Sequence, residues 1–194
     1  MKYNDTIFYK IIRPIMKFLV KIIYRPTIIN KDFIPKSGKV ILAGNHINNF
    51  DCLLLLSCTN RQIHFLAKDS LLNGVKKIIF KNLGIIPVNR TIKDKSVIPI
   101  TKKYLDNGLV IGIFPEGTTE KGCGHLLPFK IGAVKISYET DTKIIPFKII
   151  GEYKPFKKSL KIIFDKPYRA KKDLENSNKK LYDIINSIGC EDNV

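Results

Sequence analysis

With 194 residues, 44% of them hydrophobic, the chain is long enough for one domain with a sizeable core and too apolar to be a disordered segment. Its 34 Lys and Arg against 17 Asp and Glu leave a net charge of +17, a surface that attracts phosphate, anionic lipid or an acidic carrier protein. Cys52, Cys58, Cys123 and Cys190 show no C-x-x-C spacing and no Cys/His cluster, which excludes a zinc-site pattern and reads as free thiols in a reducing compartment.

The first predicted element is the stretch TIFYKIIRPIMKFLVKIIYRP, residues 6–26. Its charge-free runs are a few residues long, against the roughly 20 needed to span a bilayer. At about 100° per residue, Lys10, Arg13, Lys17 and Lys21 fall within an arc of roughly 80°. Phe8, Ile11, Ile12, Ile15, Leu19, Ile22 and Ile23 fill a broad arc beside it. That pattern predicts a helix lying in the headgroup plane of an anionic membrane, with Pro14 as a kink or a break. An ordinary surface helix would show a narrower apolar face. Residues 1–26 are therefore read as a membrane-associating segment and 27–194 as the main domain.

Beyond Pro26, strand-like runs alternate with helical ones. Strands are predicted over 39–43, 62–66, 84–88, 109–114, 143–150 and 160–164, and helices over 52–59, 70–81, 93–107, 129–139 and 173–188. Gly108 stands where a helix C-cap belongs, directly before LVIGIF. The alternation predicts a single α/β domain with a mostly parallel or mixed sheet flanked by helices.

Three stretches carry chemistry. VILAGNHINNFD delivers His46 from the end of a buried strand and places Asp51 at the start of the next helix. Strand C-terminal ends are where open α/β sheets build sites. Taken singly, Asp51 is an N-cap and His46 a polar loop residue. Together they form a pair in which a carboxylate fixes one ring nitrogen and leaves the other to take a proton. No G-x-S-x-G accompanies them, so the proton would come from a substrate hydroxyl. In FPEGT, Glu116 sits in a Pro/Gly turn after a strand, able to bond a polyol, or simply in a strand-ending turn. In LGIIPVNR, Arg90 follows a strand with a guanidinium suited to phosphate.

In this order NHINNFD, GIIPVNR, FPEGT and IIPFKI resemble the four motifs of the glycerolipid acyltransferase family, with FLAKDSL and LPFKIGAVKIS resembling its flanking segments. The resemblance runs from about Ile34 to Gly151. It implies transfer of an acyl group from a thioester, acyl-CoA or acyl carrier protein, to lysophosphatidic acid at the cytoplasmic face of the cell membrane, without a cofactor or metal. His46 would be the general base and Asp51 its orienting carboxylate. Arg90 would hold the acceptor phosphate with Lys68 and Lys130, and Glu116, Gly117 and Thr118 would position the acceptor. Thr119-Glu120 stands where the family's third motif usually continues with Arg-Ser, and Asn89 where it often has Asp, so another lysolipid acceptor is an alternative. A nucleic-acid-binding role, suggested by the charge alone, is not expected, because the aromatics fall within apolar runs and no recognition motif is present.

Overall fold

In the computed structural model, residues 7–69, 82–89, 96–119 and 125–190 are described. Helix α1 (Ile7–Ile23) leads into a short strand β1 (Thr27–Ile29). There follow β2 (Val40–Gly44), α2 (Asp51–Cys58), β3 (Ile63–Lys68) and β4 (Ile86–Val88). Then come α3 (Val97–Asp106), β5 (Val110–Ile113) and α4 (Gly132–Glu139). The domain closes with β6 (Ile144–Gly151), β7 (Leu160–Phe164) and α5 (Leu174–Ser187). The predicted helix over 70–81 and the start of that over 93–107 lie outside the described residues. Strand β1 was not expected, and its three residues are too short for a periodic signal.

The sheet order is β1-β7-β6-β2-β5-β3-β4. All neighbours are parallel except the β6–β7 hairpin, so the sheet is mixed. Every residue of β2 and β5 is buried, because helices cover both faces of the central strands. The two-residue period of β2 sorts its side chains. Val40 and Leu42 pack with Leu54, Leu55 and Phe65 under α1 and α2. Ile41 and Ala43 pack with Leu105, Val134 and Leu181 under α3, α4 and α5.

The ends of the elements follow local chemistry. Gly108 takes φ 73° after α3, and the Gly108 and Leu109 N–H groups return to Leu105 and Tyr104 carbonyls. Asp173 caps α5 by accepting from the Asn176 N–H at 3.0 Å.

Helix α1 rests on α2 through Tyr9 and Val20, both buried. The Tyr9 hydroxyl donates to the Arg61 carbonyl at 3.1 Å. Arg13 and Lys17, expected to face lipid headgroups, instead reach Asn60 Oδ1 at 3.0 and 3.5 Å. Their side of the helix lies over the loop after α2, a placement that helical angle alone does not reveal. Burial, and then the neighbouring cations Lys21 and Arg13, push the Lys17 ammonium below its ordinary range. α1 leaves in the open an apolar row of Ile11, Ile15, Phe18, Leu19 and Ile22, with Lys10 and Lys21 also exposed.

Candidate active site

Because β6, β2, β5, β3 and β4 are mutually parallel neighbours, their C-terminal ends share one edge of the sheet. Three of the loops there meet. The loop after β2 carries His46, that after β5 carries Phe114 to Thr118, and that after β6 carries Tyr153. β2 lies between β5 and β6, so His46 is flanked by the other two loops.

The first contact is His46 Nδ1 to Asp51 Oδ2 at 2.8 Å. Asp51 is wholly buried, and its Oδ2 also accepts the N–H groups of Ile47 at 2.7 Å and Asn48 at 2.9 Å. An oxygen already accepting two N–H groups accepts from the ring as well, so Nδ1 is the donor and Nε2 keeps a lone pair. Asp51 therefore does more than start α2. Its carboxylate reaches back and folds the loop around itself, which is how a gap of five residues closes.

The other oxygen, Oδ1, accepts the Tyr153 hydroxyl at 2.6 Å. Burial first, and then the charge of Asp51, push the Tyr153 hydroxyl far above the ordinary phenol range, so it remains a donor. Burial and the same carboxylate push the neighbouring Cys52 thiol up to about 12, and burial does the same to Cys58. Both thiols stay protonated at neutral pH and are unsuited to act as nucleophiles.

The backbone around His46 is held on both sides. Asn45 continues the β2–β6 ladder with its side chain: Nδ2 donates to the Ile149 carbonyl at 2.8 Å, and Oδ1 accepts from the Ile149 N–H at 2.7 Å. Glu116 Oε1 accepts the His46 N–H at 2.8 Å, while Oε2 accepts the Leu127 N–H at 3.0 Å. The His46 ring stacks on Phe114 with centroids 4.2 Å apart and planes 17° from parallel. Phe114 in turn stacks on Phe65. The imidazole is thus fixed by a bond at one nitrogen and by a flat apolar surface along its face. Its side chain remains 16% exposed.

The remaining expected residues fall as follows. Gly117 adopts φ 71°, and a Cβ there would stand 2.8 Å from Lys130 Nζ. Lys130 thus covers the turn after β5, and its N–H donates to the Pro115 carbonyl at 2.8 Å. Thr118 is exposed beside it. Lys68 ends β3 in an exposed position, two strands from β2 across β5. Arg90 lies outside the described residues.

A cavity of about 590 Å³ adjoins the loop, with Asn45, Ile47, Asn48, Glu116, Lys148 and Tyr153 among its lining residues. The His46 ring is outside that lining, against Phe114. Sequence reasoning missed Tyr153, Asn45 and Phe114. Asn45 and Phe114 stood inside quoted motifs, but Tyr153 carries no local signal, being 102 residues from the carboxylate it meets.

Comparison with known proteins supplies the relatives. A family model described as Acyltransferase matches residues 25–150. The 1-acyl-sn-glycerol-3-phosphate acyltransferase of Borreliella burgdorferi is 35% identical over 130 residues, covering 66% of this chain and 52% of the relative. The enzyme of the same name from Escherichia coli is 32% identical over 113 residues, covering 56% and 46%. That from Bacillus subtilis is 28% identical over 140 residues, covering 71% and 69%. Against the first two, this chain spans about half the relative's length. The crystal structure of the 1-acyl-sn-glycerophosphate (LPA) acyltransferase from Thermotoga maritima superimposes with a TM-score of 0.76 over 95% of this chain and 79% of that one. At 19% identity this likeness concerns the fold.

Proposed function

The chain belongs to the Acyltransferase family, and on that premise we propose that it moves a fatty acyl group from a thioester to the free hydroxyl of 1-acylglycerol 3-phosphate, giving phosphatidic acid. The observation that carries this reading is the His46–Asp51 contact at 2.8 Å, with the far carboxylate oxygen bonded to Tyr153. A histidine held in this tautomer is a base, and among the described residues no protein nucleophile is hydrogen-bonded to it.

In the proposed reaction His46 Nε2 takes the proton from the acceptor hydroxyl as its oxygen attacks the thioester carbonyl. Asp51 stabilises the imidazolium that forms. The tetrahedral oxyanion collapses, the carbon–sulfur bond breaks, and the departing thiolate receives the proton from His46. The ester and a free thiol, on coenzyme A or a carrier protein, are the products. Glu116 ties the His46 loop to the Leu127 loop through one backbone N–H on each oxygen, and from the cavity lining its carboxylate, able to accept more than one bond per oxygen, positions the acceptor. Gly117, Thr118 and Lys130 line the approach to the acceptor. Arg90 and Lys68, following or ending adjacent parallel strands, are assigned to its phosphate.

A panel of lysolipid acceptors offered with one isotopically labelled acyl thioester, read by mass spectrometry, tests the reaction. Labelled phosphatidic acid is the expected product. Transfer confined to an uncharged or zwitterionic lysolipid would overturn the acceptor assignment; that alternative has Thr119-Glu120 in its favour, where the family usually has Arg-Ser. Arg90→Ala is expected to raise the KM for the phosphate-bearing acceptor about tenfold or more with kcat nearly unchanged.

Tyr153→Phe is expected to slow the chemical step. Asp51 Oδ1 loses the hydroxyl that holds it, so kcat should fall severalfold while the acceptor KM changes little. An unchanged kcat in a folded Tyr153→Phe protein would assign Tyr153 to packing alone.

Membrane association is the second half of the reading. No helix among the described residues is long and apolar enough to cross a membrane. The exposed row Ile11, Ile15, Phe18, Leu19 and Ile22 instead suits a helix lying in the interface, with Lys21 exposed near its end. Phe18→Ser with Ile22→Ser is expected to release the protein from anionic liposomes in a flotation assay without lowering its Tm, because neither side chain is buried.

A further inference from the structure

The turn between β6 and β7 contains a residue in the wrong conformation for its type. In Lys154-Pro155-Phe156-Lys157, the Lys157 N–H returns to the Lys154 carbonyl and Pro155 holds the second position. Phe156, in the third, has φ 61°. That position and sign of φ favour glycine or asparagine, and a bulky side chain there is strained. Phe156 is 64% exposed, so burial inside the protein offsets only part of that strain. A mostly exposed aromatic ring at a position that suits glycine points to a contact outside the chain.

The surroundings identify that partner. Lys154, Lys157 and Lys158 are all exposed around Phe156. Lys154 pairs with Glu152 at 2.6 Å at the base of the turn. The Phe156 N–H donates to the carbonyl of Ile23, the last residue of α1, so the tip is attached to the helix that carries the open apolar row. Lys21 and Arg25 are exposed at the same junction. Tyr24, next along the chain, packs edge-on against Tyr153 and meets Phe50, which is 47% exposed. Exposed apolar side chains on α1 and at the hairpin tip, each with lysines beside them, match the boundary between acyl chains and anionic headgroups.

We propose that the tip of the β6–β7 hairpin is a second membrane contact, in which Phe156 enters the headgroup layer of an anionic bilayer while Lys157 and Lys158 pair with lipid phosphates. This rests on the reading that α1 lies on the bilayer, and it adds a point of attachment that α1 does not provide. Two separated contacts set the orientation of the domain, where one helix would leave it free to roll. The hairpin also carries Tyr153, so the loop that touches the lipid is the loop that touches Asp51.

Flotation of the full chain on vesicles of phosphatidylcholine with phosphatidylglycerol tests this. Turnover of a short-chain, monomerically dispersed lysophosphatidic acid is measured in parallel. Phe156→Gly and the pair Lys157→Glu with Lys158→Glu are each expected to weaken vesicle binding about tenfold or more. Turnover of the dispersed acceptor should stay within about twofold, and Phe156→Trp should bind as well as the parent. Glycine suits φ 61°, so Phe156→Gly should hold or raise the Tm, separating lost contact from lost fold. Undiminished binding by the hairpin variants, with Phe18→Ser/Ile22→Ser released, would overturn the second contact and leave the α1 reading standing. Undiminished binding by all of them would overturn both. Lysine reversals that raise only the KM for an acyl carrier protein donor would make this face a carrier dock and defeat the proposal.

Discussion

Replacing His46 with alanine is expected to lower kcat for acyl transfer by about 10²–10⁴, the range that a positioned general base contributes. The fold should survive. The ring is at the edge of the core, and the bonds that shape its loop are made by other groups. Asp51 Oδ2 keeps the N–H groups of Ile47 and Asn48, Oδ1 keeps Tyr153, and Glu116 keeps the His46 N–H, which alanine also supplies. The acceptor KM should therefore change little, because Arg90 and the lysines are assigned to binding. Added imidazole should restore part of the rate, since the mutation leaves a slot against the flat face of Phe114. Steady-state turnover with a labelled thioester, alongside a thermal melt, makes the check. Near-normal turnover in a folded His46→Ala protein would end the general-base assignment.

Asp51→Asn is the second large effect, and its geometry can be worked out. The amide oxygen must take the place of Oδ2, where His46 Nδ1 and two backbone N–H groups all donate. The amide nitrogen then faces Tyr153, whose hydroxyl can rotate from donating to accepting. The substitution thus preserves shape and tautomer while removing the charge that stabilises imidazolium. A fall of about 10²–10³ in kcat is expected, smaller than where the wrong tautomer is also selected. Near-normal kcat in a folded Asp51→Asn protein would end the assignment of Asp51 to stabilising the imidazolium.

The strand and helix alternation was legible because it is written in local periodicity, and most predicted elements differ from the observed ones by a residue or two at their ends. The first and second half of the dyad were legible for a different reason: a polar pair at the mouth of a wholly apolar strand has no packing use. Glu116 was legible as a turn residue, but its partners were not. The parallel pairing of β2 with β5 brings the His46 N–H to this carboxylate, a contact that FPEGT by itself does not announce.

By itself, then, the chain's order of residues determined the strands from β2 to β7, which end of the sheet carries chemistry, and that the first helix has an apolar face too broad for one contact. These depend on neighbours within a turn or a strand. Only the tertiary structure decided which side of α1 is buried by Tyr9 and Val20, that Arg13 and Lys17 serve a protein loop, and that residue 153 reaches residue 51. Those contacts follow from the strand order, which sets β6 and β5 on either side of β2 and brings together residues far apart along the chain. Local patterning carries no record of that order, because each strand's own hydrophobic sequence is satisfied by any neighbour that covers it.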